Sequence, residues 1–192
     1  MRMLAIQAYL QVRRPSRFIF ACMVGVLLVP LFPTNLQSYR APHAGEGLTV
    51  AIVTDHYIHN INTIVQIALP VLLRDKIGLL QGIYVGLSNA IATHGLKFLV
   101  DRWTVEGTRL GQRPLDVDSR FNMPSGHSSM ASSAAYFVSR RYGILHALYL
   151  LPILFLTMYA RVVLNAHTIT AVITGALVGF LVAALFTSKR AA

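Results

Sequence analysis

The chain has 192 residues, of which 55% are hydrophobic and only 12% charged, which excludes an ordinary water-soluble domain, since such domains carry about 25% charged residues. A net charge of +10 would suggest nucleic-acid binding in a soluble protein. Because the mean hydropathy is +0.56, we attribute the charge instead to membrane topology and to contact with anionic lipid head groups. We therefore expect no nucleic-acid partner. The single Cys22 excludes an intrachain disulfide, and no cysteine–histidine cluster has the spacing of a protein-only zinc site.

Apolar runs near the length of about 20 residues that crosses a bilayer recur along the chain. They lie at residues 17–33, 57–73, 77–96, 125–139, 146–164 and 168–187. These runs predict an all-α, polytopic integral membrane bundle of about six transmembrane helices, forming one domain over residues 1–192. The second and fourth runs are short or interrupted by polar residues, so about five helices is the nearest alternative. Residues 37–54 are expected to form an exterior loop.

The lysines and arginines between the runs predict the orientation of the bundle. Ten fall on one side, which should be cytoplasmic and should hold both termini: Arg2, Arg13, Arg14, Arg17, Arg74, Lys76, Arg140, Arg141, Lys189 and Arg190. Seven fall on the opposite side: Arg40, Lys97, Arg102, Arg109, Arg113, Arg120 and Arg161. Seven basic residues are too many for a plain exterior surface, which indicates an anion site on the outer face.

Cationic side chains follow the third apolar run. Arg113 can grip two phosphate oxygens through its planar guanidinium group, and Pro114 stiffens the chain after it. Lys97 lies at the exterior end of the run, where its long side chain reaches either the same phosphate or lipid head groups. Arg109 is an additional candidate for phosphate binding.

The segment Pro124-Ser125-Gly126-His127 opens the fourth apolar run. Ser125 is a good helix cap, and Gly126 lets a ligand approach the backbone closely. The first turn of such a helix presents free N–H groups and the positive end of the helix dipole, which together bind anions. His127 beside a bound phosphate could donate or accept a proton near neutral pH. The alternative is an ordinary loop-to-helix cap with an incidental histidine.

The last two apolar runs are joined by a segment in which Arg161 ends one run and His167 begins the next. Both side chains therefore lie at the same membrane depth, where an unused ionisable group would be costly. His167 is the natural nucleophile, because a neutral imidazole nitrogen can attack phosphorus and form a phosphohistidine. His127 would then protonate the departing oxygen, and water would release the phosphate.

These segments resemble the motifs of the type 2 phosphatidic acid phosphatase (PAP2) superfamily of membrane phosphatases, K-x6-R-P, P-S-G-H and S-R-x5-H-x3-D. The middle motif is complete, and the third keeps Arg161 and His167 at the family spacing. The first keeps Arg113 and Pro114, but fifteen residues separate Lys97 from Arg113 instead of six. The resemblance therefore covers the second half of the chain in motif terms, and the helical layout extends it to the whole chain.

Carried over by position, the resemblance implies a PAP2-like bundle with His167 as the nucleophile and His127 as the general acid. It implies that five residues hold the phosphate: Lys97, Arg113, Arg161, Ser125 and Gly126. Neither a metal nor an organic cofactor is implied.

The family's final aspartate, four residues past the nucleophile, is replaced by Ala171. A carboxylate there would hold the second ring nitrogen of the histidine, which alanine cannot do. Three explanations stay open: substitution by a hydroxyl or another acid (Asp101, Asp116 or Asp118), reduced or absent activity, or an engineered change at Ala171. We favour natural variation with a substitute partner, which makes Asp116 an additional candidate site residue.

Residues 108–114, 121–130 and 160–172 look most like bacterial lipid A 1-phosphatases. That likeness implies removal of the 1-phosphate of lipid A, a phosphorylated membrane lipid, at the periplasmic face of a bacterial inner membrane. A phosphatase of undecaprenyl pyrophosphate or phosphatidylglycerol phosphate, or a lipid A phosphotransferase, would share the phosphoenzyme step. A non-catalytic lipid-phosphate binder would need the cations but not both histidines, so we favour an enzyme.

Overall fold

The computed structural model describes residues 2–32, 34–36 and 46–190, and within them the chain is mostly helical. The described residues form eight α-helices: α1 (Arg2–Leu10), α2 (Ser16–Leu28), α3 (Glu46–His56), α4 (Ile61–Leu72), α5 (Lys76–Val100), α6 (Gly126–Tyr142), α7 (Ala147–Val163) and α8 (Ile169–Phe186). Short 3₁₀ turns follow α2 and precede α4 and α7: Val29–Leu31, Ile58–Asn60 and Ile144–His146. The connection from α5 to α6 contains a two-stranded antiparallel hairpin, β1 (Thr104–Val105) and β2 (Thr108–Arg109).

A helix forms at each of the six apolar runs, in agreement with the predicted all-α class. Among the residues that the structure describes, two helical segments, Ile144–Val163 and Ile169–Phe186, are long and apolar enough to cross a membrane by length and composition. The count of about six spanning helices and the single-domain assignment stay predictions.

Two helices, α1 and α3, are not predicted by the sequence. The expectation of an exterior loop over residues 37–54 is wrong for its second half, which belongs to α3. This half contains the apolar stretch 48–53, and α3 packs against α7. A Cβ on Gly47 would lie only 2.9 Å from the Tyr159 hydroxyl, so the two helices approach closely. The first half of the expected loop, with Arg40, lies outside the described residues.

Helix α6 packs against α4, α5, α7 and α8, and its contact with α8 is especially close. A Cβ on Gly175 would overlap the Ser125 carbonyl oxygen, and one on Gly179 would overlap that of Ser129. Glycine at these positions lets the two backbones meet, a form of packing that is common where membrane helices approach closely. The Ser125 N–H also donates to the Ala171 carbonyl at 2.9 Å. The start of α8 is therefore fixed against the start of α6.

A buried ion pair holds the opposite end of the bundle. Arg141 donates to both carboxylate oxygens of Asp75, at 2.6 and 2.7 Å, and to Gln81 and Ser188. Burial alone would raise the pKa of Asp75, but hydrogen bonds from Arg141 and a backbone N–H lower it below its ordinary value. Gln81 also donates to the Ala8 carbonyl at 2.7 Å. Helix α1, the start of α5 and the chain after α8 therefore meet at one end, and α5 runs from there to the other.

Candidate active site

The connection between α5 and α6 folds over the far end of α5 and ties it to the start of α8. The Phe121 carbonyl accepts a 2.7 Å hydrogen bond from Lys97 Nζ, near the end of α5. The Asn122 N–H donates to the Gly111 carbonyl at 3.0 Å, and its side-chain Oδ1 accepts from the Thr168 N–H at 3.0 Å. Asn122 is buried and held by both its backbone and its side chain. These contacts gather the three sequence motifs at one end of the bundle.

Helix α6 begins at Gly126, with Ser125 in the cap position. The predicted cap position is confirmed, but Ser125 Oγ accepts from Ser128 Oγ at 3.2 Å and makes no hydrogen bond to the helix backbone. The first-turn N–H groups and the positive end of the dipole are thus left for an anion. A Cβ on Gly126 would meet no atom within 4 Å among the described residues, so approach to this turn is open.

His167 lies in the turn between α7 and α8, with only 2% of its surface exposed. Its Nδ1 lies 2.7 Å from the backbone oxygen of Asn122. Because a carbonyl oxygen can only accept, Nδ1 carries the proton and Nε2 keeps its lone pair. The pKa of His167 is well below its ordinary value of 6.5. Burial is the largest cause, and the positive charges of Lys97, Arg161 and Arg113 lower the pKa further. The ring is therefore neutral near pH 7 and can act as a nucleophile through Nε2.

The Asn122 carbonyl accepts the hydrogen bond from His167 Nδ1 that a carboxylate at position 171 would accept. Ala171 is fully buried in an apolar cluster with Val100, Leu110 and Met123. The partner of His167 is thus a main-chain oxygen, and none of the three acids considered as substitutes supplies it.

Arg109 and Asp116, the additional candidates, brace the loop over the site. Arg109 pairs with Asp101 at 2.5 Å and donates to the carbonyls of Val117 and Ser119 at 2.8 and 2.7 Å. Asp116 Oδ1 accepts from the Ser119 N–H at 3.1 Å. Asp118, the third acid, is an exposed loop residue. The guanidinium of Arg109 is therefore held by the loop, and its role as a phosphate ligand stays a prediction.

Lys97, Arg113 and Arg161 surround His167 closely enough to affect its protonation. Lys97 is buried, with 6% exposed. Arg113 Nε and Arg161 Nε are buried, and neither has a hydrogen-bond partner among the described residues. Burial and the charge of Arg161 also lower the pKa of Arg113. Cations that repel one another and keep unused donors form a site that an anion would complete.

Two residues that the sequence does not identify, Asp55 and His59, belong to the same end of the bundle. The Asp55 carboxylate forms an ion pair with Arg161 Nη1 across 106 residues of sequence. The His59 ring lies 4.9 Å from the His127 ring, edge to face. The Nδ1 of His59 is buried and has no hydrogen-bond partner within the described part of the chain. The polar stretch 54–60 before α4 is the local signal that could have indicated them.

The sequence profile of the PAP2 superfamily matches residues 78–191, more than half of the chain. The chain belongs to the PAP2 superfamily. Two lipid A 1-phosphatases of Helicobacter pylori strains are 38% and 37% identical to it over 175 residues, or 91% of this chain and 90% and 89% of theirs. A lipid A 4'-phosphatase of Helicobacter pylori is 40% identical over 111 residues, or 57% of this chain and 51% of its own.

Among solved structures, a transmembrane PAP2 type phosphatidylglycerolphosphate phosphatase from Bacillus subtilis aligns with a TM-score of 0.51 and 20% identity. The alignment covers 85% of this chain and 91% of that one, which shows a shared fold. Superfamily membership and the curated relatives make this PAP2 protein an enzyme that hydrolyses a lipid phosphate monoester.

Restoring the superfamily aspartate with Ala171→Asp should not raise the activity of this PAP2 protein. His167 Nδ1 already has an acceptor, and the new carboxylate would be buried in the apolar cluster. We expect kcat to stay equal or fall, and the free energy of unfolding to drop by about 3 kcal/mol, the scale of an unpaired buried charge. Phosphate release and thermal unfolding in detergent measure the two effects, with Ala171→Asn as the uncharged control. A gain in kcat of about tenfold would show that the Asn122 carbonyl does not orient the ring.

Replacing Asp55 with asparagine should weaken turnover, because it removes the ion pair that holds Arg161 in place. It also removes a negative charge that offsets the repulsion between Arg161 and the other cations near His167. We expect Asp55→Asn to lower kcat/KM for phosphate release about tenfold to a hundredfold, the scale of a positioning contact to a reacting phosphate. The exposed Asp118→Asn is the matched control and should retain wild-type kinetics. Equal kinetics for the two variants would remove Asp55 from the site.

Proposed function

We propose that this chain removes the 1-phosphate of lipid A at the periplasmic face of a bacterial inner membrane, through a phosphohistidine on His167. The observation that carries the proposal is the 2.7 Å contact between His167 Nδ1 and the Asn122 carbonyl, with three cations close enough to act on the ring. The relatives named lipid A 1-phosphatase, 38% and 37% identical over nearly the whole chain, support the substrate.

In the first step, His167 Nε2 attacks phosphorus and a P–N bond forms. The bond between phosphorus and the lipid oxygen breaks, and its electron pair stays on that oxygen, which takes a proton from His127. The negative charge on the three remaining phosphoryl oxygens is stabilised by Lys97, Arg113 and Arg161. The backbone N–H groups of the first turn of α6, which follows Ser125 and begins at Gly126, assist them.

In the second step, a water molecule attacks phosphorus while His127 accepts its proton. The P–N bond breaks, the electron pair returns to His167 Nε2, and inorganic phosphate leaves. Throughout both steps the proton stays on His167 Nδ1, hydrogen-bonded to the Asn122 carbonyl, so the ring returns to its starting tautomer. The chain's own residues carry every proton in this cycle, and we assign no metal or organic cofactor.

The proposed orientation places both termini in the cytoplasm and the site in the periplasm. It is supported by the position of α1 and of Ser188, which meet Gln81 at the end of the bundle opposite His167. Ten basic residues are expected at that terminal end, consistent with the tendency of lysine and arginine to remain on the cytoplasmic side.

Substrate choice is tested by supplying purified protein with lipid A, undecaprenyl pyrophosphate and phosphatidylglycerol phosphate in parallel. Mass spectrometry of the lipid A product distinguishes loss of the 1-phosphate from loss of the 4'-phosphate and from transfer to another lipid. We expect lipid A that lacks only its 1-phosphate. A preferred reaction on another lipid, or loss of the 4'-phosphate, would overturn the assigned substrate.

His167→Ala should abolish both turnover and the covalent intermediate, because no other side chain in the proposal attacks phosphorus, and water attacks only the phosphohistidine. We expect a fall in kcat of about a thousandfold or more, as for other covalent nucleophiles. Rapid quenching with lipid labelled in its phosphate should yield an alkali-stable, acid-labile label on the wild-type protein alone.

The control is His146→Ala, since His146 is a histidine beside α7 that hydrogen-bonds Tyr149 at 2.7 Å and takes no part in the mechanism. It should keep wild-type turnover and labelling. Retention of the label in His167→Ala would refute the nucleophile assignment.

A further inference from the structure

An apolar groove of about 510 Å³ runs between α4 and α5 and is also lined by α6. Most of the surface that lines it is apolar, and five large apolar side chains contribute to it: Ile67, Leu79, Ile83, Leu87 and Met130. No lysine, arginine or carboxylate lines it among the described residues. Its volume is typical of sites that hold a small molecule, about 300–1,000 Å³.

The groove opens at the candidate active site. Gly126, which lies between Ser125 and His127 in the sequence, is part of its wall. Along α5, Asn89 and Thr93 line the groove, and Lys97 follows at the same spacing of four residues, hence on the same face of the helix. A ligand whose phosphate lies at Lys97 would therefore find the groove directly beneath it.

The groove extends along much of the length of α5. Its wall includes His94 near the site and Leu79 near the opposite end of α5. They lie fifteen positions apart in the helix, a distance of about 22 Å at 1.5 Å per residue. One leaflet of a bilayer has a hydrocarbon depth of about 15 Å, so a complete fatty-acyl chain can be accommodated lengthwise.

A hydroxyl group lies near the end of the groove that is closer to the candidate active site. Thr63 Oγ1 lies in the wall, is buried, and has no hydrogen-bond partner within the described residues. Thr63 belongs to the first turn of α4, next to the 3₁₀ turn that carries His59. A hydroxyl at this position can donate to the carbonyl oxygen that links an acyl chain to its head group.

From these contacts we infer that the groove binds one acyl chain of the substrate lipid, with the linking carbonyl at Thr63 and the methyl end between Pro70 and Leu79. The inference rests on the proposed function, because it places the lipid's phosphate among the cations around His167. An acyl chain that enters the groove from the bilayer leaves one apolar environment for another, so little hydrophobic free energy is gained. The groove instead positions the lipid's phosphate relative to His167. It selects lipids whose chain and phosphate can be held at the same time.

Two glycines of α5 provide a matched pair of variants. A Cβ on Gly86 or on Gly95 would meet no atom within 4 Å in the described structure. Gly86 lines the groove, whereas Gly95 lies nine residues further along the helix, about half a turn away and hence on the opposite face. Both substitutions to leucine raise helix propensity by the same amount, but only Gly86→Leu places a side chain in the groove.

The experiment compares kcat/KM for long-chain lipid A with kcat/KM for a synthetic analogue whose acyl chains have four carbons. We expect Gly86→Leu to lower the value for lipid A about tenfold or more and to change the value for the analogue less than about twofold. Gly95→Leu should match the wild type on both substrates. An equal loss on both substrates, or no loss on either, would overturn the groove assignment.

A second measurement does not depend on turnover or on the fold of a variant. Wild-type protein is irradiated with lipid A that carries a diazirine in mid-chain, and the labelled peptides are mapped. We expect labels on α4 and α5 at groove residues such as Ile67 and Ile83. Ile67 and Ile83 are themselves 58% and 47% exposed, so the comparison is with exposed residues outside the groove. Labels as frequent at Phe98 and Phe155, which are 76% and 62% exposed, would overturn the inference.

The two proposals fail differently. Wild-type protein that releases no phosphate from lipid A but is labelled in the groove contradicts the proposed function and keeps the lipid site. A detergent-stable dimer that Gly86→Leu disrupts, without any chain-length effect, would assign the groove to a second copy of the chain.

Discussion

The hydrogen bond between His167 and the Asn122 carbonyl determines what the surrounding charges can do. A carboxylate in that position would fix the same tautomer but would also add a negative charge beside the phosphate and favour the protonated ring. A main-chain carbonyl fixes the tautomer without a charge. With Lys97, Arg113 and Arg161 nearby, the imidazole stays neutral and the positive field remains available to the anion. Because the Asn122 carbonyl orients the His167 ring, alanine at position 171 is compatible with the proposed role of His167 as the nucleophile.

That hydrogen bond depends on how closely the helices pack. Asn122 is held by Gly111 and Thr168, and Thr168 precedes α8, whose Gly175 allows it to meet the start of α6. A larger residue at Gly175 would separate the two helix starts, and with them the turn that carries His167. The same arrangement places the open first turn of α6 beside the groove between α4 and α5. In the proposed reaction, the phosphate and the apolar part of the lipid therefore have adjacent places in one bundle.

Much of this architecture is readable from the sequence, because apolar runs and motif spacing are local properties. The helices at the six runs and the order of the motif residues follow from them. The partner of His167 does not, because a main-chain carbonyl has no side-chain signature, and motif comparison directs attention to acids. Asp55 was missed for a related reason: its contact with Arg161 spans 106 residues and depends on α3, which lies where polar composition predicts a loop. Arg109 has the residue type of a phosphate ligand, but Asp101 and two carbonyls occupy it.

Nitrogen-15 NMR of the histidine rings measures the tautomer of His167 directly, with its signals assigned by their loss in His167→Ala. The account predicts a neutral ring near pH 7, with the proton on Nδ1 and an unprotonated Nε2. Because the pKa of His167 is well below 6.5, the neutral form should persist as the pH is lowered through that value. A ring that carries its proton on Nε2, or that is already an imidazolium at pH 7, would contradict the central claim.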